Sequence, residues 1–265
     1  MSVTETSPSA TRGPAAQASA RPKGSGRPGL VGRARLAAAL IANLAYDGRR
    51  LWKHSYLTGI KGAGTLRSRM HMTGHFLEYG MSMRKPRGGF GKDRVALLCS
   101  DLDRFAHDHG WDSTCEISLR TLRAYRDFNA GLGMDMTALD AELARIERLR
   151  DWRGERLEGG AETVSAEDIR RAGMIDYLGF AQARHSIRQF APGPVAQTSI
   201  DRAVRAAQMT PSSCNRQTCR VWIWTEPDMV QRVLALQSGN RNFGHEVAGV
   251  ALVASDLTPW YEVEE

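Results

Sequence analysis

The apolar pattern of this chain changes rhythm near residue 190. Over the first two-thirds, apolar residues recur at helical spacing, with no alternation of the kind a strand requires. Beyond it the pattern becomes helix, strand, helix, strand. "QTSIDRAVRAA" reads as a helix with Ile200, Ala203, Val204 and Ala207 inward, and "CRVWIWT" as a strand. Pro227 suits the first turn of the helix "EPDMVQRVLALQ". "VAGVALVAS" is so continuously apolar that it reads as a strand covered on both faces. The expected fold class is α+β: a mainly helical N-terminal region followed by a partial α/β layer. Two strands do not make a stable sheet core alone, so strands from elsewhere in the chain or from a partner chain are expected to complete it.

Within the helical part, order is expected from about Val31. "ARLAAALIANLAYDGRRLWKHS" carries Leu36, Leu40, Ile41, Leu44 and Trp52 on an apolar stripe that needs a partner. Further helices are expected over 65–79, from about Asp93 to a stop at Gly110, over 114–128 with Leu119, Leu122, Tyr125 and Phe128 inward, and over 136–150. The glycines and prolines of "GMSMRKPRGGFGKDR" interrupt regular structure. Ser165, three residues before Asp168, has capping-box spacing for a helix through Leu178. The expected organisation is a disordered tail over 1–30, a helical region over 31–178 and an α/β domain over 179–265.

Charge and cysteine content narrow the function. The formal net charge is +7 and the pI about 9.5, yet Lys23, Lys53, Lys61, Lys85 and Lys92 are the only lysines. The basic residues alternate with acids and form no continuous stripe, so nucleic acid is not an expected partner. Cys99, Cys115, Cys214 and Cys219 form no CxxC pair and lack the spacing of a closed zinc site, so reduced structural thiols and no metal are expected. No apolar run reaches the length of a membrane span and the first residues lack the apolar core of a secretory signal. A cytoplasmic protein with no membrane partner is the expectation.

Three polar segments carry chemical content. In "ARHSIRQF", Arg184, Ser186 and Arg188 offer two planar guanidinium forks and a hydroxyl, a donor set suited to a phosphate monoester. If the segment is helical, Arg184 and Arg188 share a face; if extended, all three even-numbered residues do. In "TPSSCNRQT", Ser212, Ser213, Asn215 and Gln217 lie in a loop entering a strand, a usual position for ligand-orienting groups and also for ordinary turn formers. "SGNRNFG" presents Asn240, Arg241 and Asn242 before the apolar strand. Upstream, His75 and Glu78 stand three apart in "HFLEYGMSM", as a structural polar pair or an acid–base pair. Cys214 and Cys219 would make a thiol redox pair only if their sulfurs approach.

The order and spacing of these segments, over about residues 180–258, resemble the beginning of the FMN-dependent nitroreductase family, with its Arg-x-Ser-x-Arg/Lys stretch followed by Pro-Ser-x-x-Asn-x-Gln and a strand. "HFLEYGMSMRKPRGGFG" is similar to a pattern in a bacterial subgroup with an added helical N-terminal region, except that Tyr79 stands where that pattern has lysine. Thr218 and Cys219 also stand where many members have proline and an aromatic residue.

The resemblance implies a homodimer with FMN at the subunit interface and electrons from NADH or NADPH. Arg184, His185, Ser186 and Arg188 would hold the flavin phosphate. Ser212, Ser213, Asn215 and Gln217 would approach the flavin of the opposite subunit, and Asn240, or the nearby Asn242, would contact its ring or ribityl chain. It also implies that the latter half of the family fold, with a further phosphate-clamping basic residue, is absent here. The expected function is thus an NAD(P)H oxidoreductase of nitroreductase-like type, truncated or inactive in this form. The alternative is a non-catalytic helical interaction or scaffold protein with a degenerate flavin domain.

Overall fold

The computed structural model describes residues 29–237 and 239–260, so the tail expected over 1–30 falls almost wholly outside the described residues. The chain divides into two compact units between Gly48 and Arg49. Helix α1 (Leu30–His54) crosses that boundary. It forms where its apolar period predicts, but Leu36, Leu40, Ile41, Leu44 and Trp52 are each between 59% and 66% exposed. No described element of the chain covers this stripe, because periodicity reports a side of a helix and not the element that packs on it.

Four helices make the core of the larger unit: α2 (Ala63–Met81), α3 (Lys92–His109), α4 (Ser113–Gly131) and α5 (Thr137–Glu147). Leu66, Met70 and Leu77 of α2, Leu98, Leu102 and Phe105 of α3, and Leu119, Leu122 and Tyr125 of α4 recur every three, four or seven residues and are essentially inaccessible. Leu139, Leu143 and Ile146 of α5 complete the cluster. Gly110 ends α3 at φ +82°, and Asp112 then caps α4 by accepting from the Thr114 and Cys115 backbone N–H groups at 2.8 and 3.2 Å.

The irregular segment between α2 and α3 is a plug. Phe90 meets Tyr125 edge-on at 5.1 Å and Phe128 at 6.3 Å, while the Tyr125 hydroxyl donates to the Phe90 carbonyl. A Cβ on Gly80 would lie 2.1 Å from the Phe90 ring, so the glycine makes the seat for it.

Much of the arginine content is spent inside this bundle. Arg67 pairs with Asp112, Arg69 with buried Asp101 and Arg126 with Asp140. Arg145 bridges Asp103 and Glu142. Glu116 has no exposed side-chain surface and accepts from Arg120 at 3.0 Å and Arg150 at 2.8 Å. The Arg150 hydrogen bond, helped by Arg120, holds its carboxyl below the ordinary range against the opposing effect of burial.

On α2, burial pushes the His71 imidazole below its usual 6.5, while its ring nitrogen lies 3.3 Å from the Thr114 hydroxyl. Its folded pKa is depressed, so the unfolded chain binds the extra proton first as pH falls. Stability is therefore expected to be intact above 6.5 and to decline below it. His71→Gln should flatten that part of a urea-midpoint profile; an unchanged slope would assign the decline to another group.

Beyond the bundle the elements are shorter. Ser165 caps α6 (Ala166–Ala172), its hydroxyl accepting from the Asp168 N–H at 3.0 Å, as the capping box predicts. The helix expected to continue through Leu178 instead ends at Gly173. Asp176, accepting from the Gly179 N–H at 2.8 Å, then starts α7 (Tyr177–Ala183). A glycine followed closely by a new capping side chain outweighs the helical pattern across them.

Helix α8 (Gln197–Gln208) buries no residue: Ile200 and Val204 are half-buried, and Ala203 and Ala207, expected inward, are exposed. Strand β1 (Cys219–Trp224) runs antiparallel to β2 (Val250–Ser255), pairing Cys219 with Ser255 and Trp224 with Val250. Between them α9 (Pro227–Leu234) starts on its proline and buries Val230 and Leu234. Within the described residues the second strand is not covered on both faces: Leu252 is 49% and Val253 64% exposed. Among the described residues the sheet has these two strands, so no neighbouring layer shields them. The fold is α+β: a mainly helical region followed by a partial α/β sandwich.

Candidate functional site

Arg184 is the residue at which the chain leaves α7 in extended backbone, at φ −73° and ψ 119°. Residues 184–190 form no helix or strand, which removes the reading in which Arg184 and Arg188 share a helical face. Arg184, His185, Ser186 and Arg188 are all exposed. Among the described residues their side chains make no hydrogen bond or ion pair, in contrast to the paired arginines of the bundle. The segment is tied down at its end: the Phe190 N–H donates to Glu246 Oε2 at 3.1 Å, and the Phe190 ring lies 6.3 Å from that of Phe243.

The second segment folds on itself. Ser212 Oγ accepts from the Gln217 N–H at 2.8 Å, and Gln217 Nε2 donates to Asn215 Oδ1 at 2.9 Å. Ser213 opens a single 3-10 turn, Ser213–Asn215, and is exposed. Cys214, Asn215 and Gln217 have φ of 48°, 54° and 51°. Left-handed backbone is uncommon outside glycine and is held only where surroundings fix it. Here Arg216 and Thr218 supply the anchor, being 3% and 6% exposed.

The Arg216 guanidinium lies 5.3 Å from the centre of the Trp260 ring. Trp260 in turn donates from Nε1 to the Asp256 carbonyl at 2.8 Å and accepts the Tyr56 N–H at 2.9 Å, while the Ser68 hydroxyl donates to the Pro259 carbonyl at 3.2 Å. The polar loop is therefore buttressed through Trp260 by residues preceding and within α2. Arg216 and Trp260 were not singled out by motif reasoning; the signal for Trp260 was an aromatic residue soon after an apolar strand.

The third segment is largely committed to the fold. Asn240 Nδ2 donates to the Leu234 carbonyl at 2.6 Å, and its backbone carbonyl accepts from Gly244 at 2.9 Å. It thus closes the C-terminal end of α9. Asn242 is exposed, at φ 70°.

Other residues with potential chemistry have structural partners. Glu78 Oε1 accepts from the Thr121 hydroxyl at 3.0 Å and the Gly160 N–H at 3.1 Å, and among the described residues no hydrogen bond joins it to His75. Burial pushes the Cys99 thiol up to about 12 and Cys115 up to about 11, so both stay protonated near neutrality. Cys214 and Cys219 are not joined in a disulfide. A cleft of about 640 Å³ between α3, α5 and the loop before α5 is lined by Val95, Cys99, Met134 and Leu139, with Lys92 and Arg145 on its walls. Among the described residues, no cluster of His, Cys, Asp and Glu is arranged for a metal ion and no helix is long and apolar enough to cross a membrane.

No curated protein and no solved structure has significant similarity to the chain. The model of the Nitroreductase family matches residues 181–248, a stretch that contains all three polar segments and associates this part of the chain with nitroreductase-like oxidoreductases.

Proposed function

We propose that the chain is an FMN-dependent NAD(P)H oxidoreductase of nitroreductase-like type, with residues 179–265 supplying flavin contacts and residues 31–178 forming a helical region that supports them. The observation that carries this reading is the donor set at Arg184, Ser186 and Arg188. Two guanidiniums and a hydroxyl stand exposed and uncommitted, inside the stretch that matches the family.

Their chemistry fits a phosphate monoester: each guanidinium donates two parallel hydrogen bonds to phosphate oxygens, the hydroxyl adds a third donor, and two positive charges offset the dianion. His185 adds a neighbouring contact. Ser212, Ser213, Asn215 and Gln217 approach the flavin of a second subunit in a homodimer, where the left-handed backbone of their loop holds polar groups at the mouth of a strand. Asn240 orients the ribityl chain or ring through its Oδ1, since its Nδ2 is engaged by the fold. When bound, FMN supplies the two-electron chemistry between NADH or NADPH and a small-molecule acceptor. The chain's own residues position the cofactor, and none of them has to serve as a nucleophile. The reading places the protein in the cytoplasm.

The test is a titration of the purified chain with FMN, followed by absorbance, and then anaerobic addition of NADH or NADPH. Saturable uptake with one flavin per chain and bleaching by the nicotinamide is the expected result. A chain that takes up no flavin at any concentration would sink the proposal and leave the non-catalytic interaction protein as the reading.

A further inference from the structure

Basic and acidic residues balance from residue 55 onward, and the net charge lies wholly in the segment before it. Residues 1–54 contain nine Lys and Arg and two acids, Glu5 and Asp47, out of 36 and 29 in the whole chain. The following 211 residues therefore hold 27 of each sign and are neutral overall. All of the +7 belongs to the segment that ends with α1, and α1, like the shorter α7, leaves its large apolar residues exposed; α1 alone combines the two.

The two properties are largely, though not wholly, separated around α1. At 3.6 residues per turn, Leu36, Leu40, Leu44, Ile41 and Trp52 share an arc of about 160°. Arg35, Arg49 and Lys53 project from the opposite side. Arg33 stands at the N-terminal end of the apolar arc, where a long side chain can carry its charge outward. Alanines fill much of the remainder, and Asp47, the one acid in the 25-residue helix, projects near the edge of the apolar arc between Leu36 and Leu40.

We propose that α1 is a membrane-surface helix that lies in the headgroup region of an anionic bilayer, its Leu36–Trp52 arc in the acyl boundary and its basic side toward the lipid phosphates. An apolar arc beside a strongly basic side is what an interfacial helix presents, and attraction to anionic lipid adds to the burial of apolar area. The expectation that no membrane is engaged rested on the lack of a spanning segment, a criterion that does not address a helix lying on the surface. Charge also decides between occupants. A second α1 packed on the same arc would bring two strongly basic helices together, and a nucleic acid would satisfy the charge while leaving the arc in water.

The experiment is co-flotation of the full chain with vesicles of phosphatidylcholine alone or with about a third phosphatidylglycerol. At least ~10-fold more protein should float with the anionic vesicles, and the difference should collapse in about 0.5 M salt. Leu40→Asp with Leu44→Asp should reduce flotation at least ~10-fold with unchanged far-UV circular dichroism, both positions being exposed. Arg49→Glu with Lys53→Glu should remove the anionic preference. Equal flotation with both vesicle types, no flotation, or flotation indifferent to the Leu40/Leu44 pair overturns the proposal. A lipid-free dimer that this pair dissociates assigns the arc to a second copy and overturns it as well. Salt-sensitive binding to a DNA or RNA duplex without vesicle flotation overturns it in favour of nucleic acid.

Discussion

Replacing Arg184 and Arg188 together by alanine is expected to weaken FMN binding by about 100-fold, against no measurable change for Arg148→Ala. A charge-assisted hydrogen bond contributes about 1.5–3 kcal/mol, and about 1.4 kcal/mol is a factor of ten, so each guanidinium accounts for at least about one decade. Arg148 is the matched control because it is an exposed arginine at the C-terminal end of α5 with no ion pair among the described residues. Among the described residues the Arg184 and Arg188 side chains make no hydrogen bond that their loss would break, so the thermal midpoint of the flavin-free chain should stay where it is. Flavin titration of the three proteins checks both parts. Equal affinities across them would place the two arginines in solvent and remove the phosphate reading.

Trp260→Ala is expected to cost about 3–5 kcal/mol of stability, the range for truncating a large buried aromatic. Trp260 is 6% exposed, and its ring faces Arg216, its indole N–H is satisfied by the Asp256 carbonyl, and its carbonyl takes the Tyr56 N–H. The Trp260 side chain thus holds Arg216, in the turn carrying Ser212, Asn215 and Gln217, against the end of the strand region, while its main-chain carbonyl makes the link to Tyr56 that the substitution leaves in place. Leu119→Ala in the bundle core should cost a comparable ~3 kcal/mol without touching that turn. Urea midpoints measure the first effect, and flavin affinity under fully folding conditions measures the second. A loss of flavin affinity in Trp260→Ala and not in Leu119→Ala is the expected pattern. Equal affinities in both would reduce Trp260 to packing.

The helices of the bundle were legible because each carries an apolar side wide enough to be read from spacing alone. Leu119, Leu122 and Tyr125 were placed inward, and they are buried. The Ser165 cap and Pro227 at a helix start were legible for the same reason: both act within one turn of the backbone. The two strands were found from their apolar, β-branched and aromatic content. The break between α6 and α7 is hidden from the pattern because the helical period runs through Gly173 and Asp176, while the glycine end and the new cap act on the backbone.

Of the three polar segments, their positions relative to helices and strands were legible, while their hydrogen bonding was not. The same amide can orient a ligand or, as Asn240 does, close a helix end on Leu234. Nor does any local pattern single out Glu116 as the acid that is buried between Arg120 and Arg150.

Most of the elements, their order and the sidedness of each long helix are written in the sequence, since these follow from backbone propensity and a repeat of two or 3.6 residues. The sequence also determined where the net charge lies. Only the tertiary structure decided which apolar sides are covered. The stripe of α1, the inward side of α8 and the faces of β2 satisfy the same pattern rules as α4 and yet are largely exposed, because burial belongs to a pair of packed surfaces and a one-dimensional pattern describes one of them.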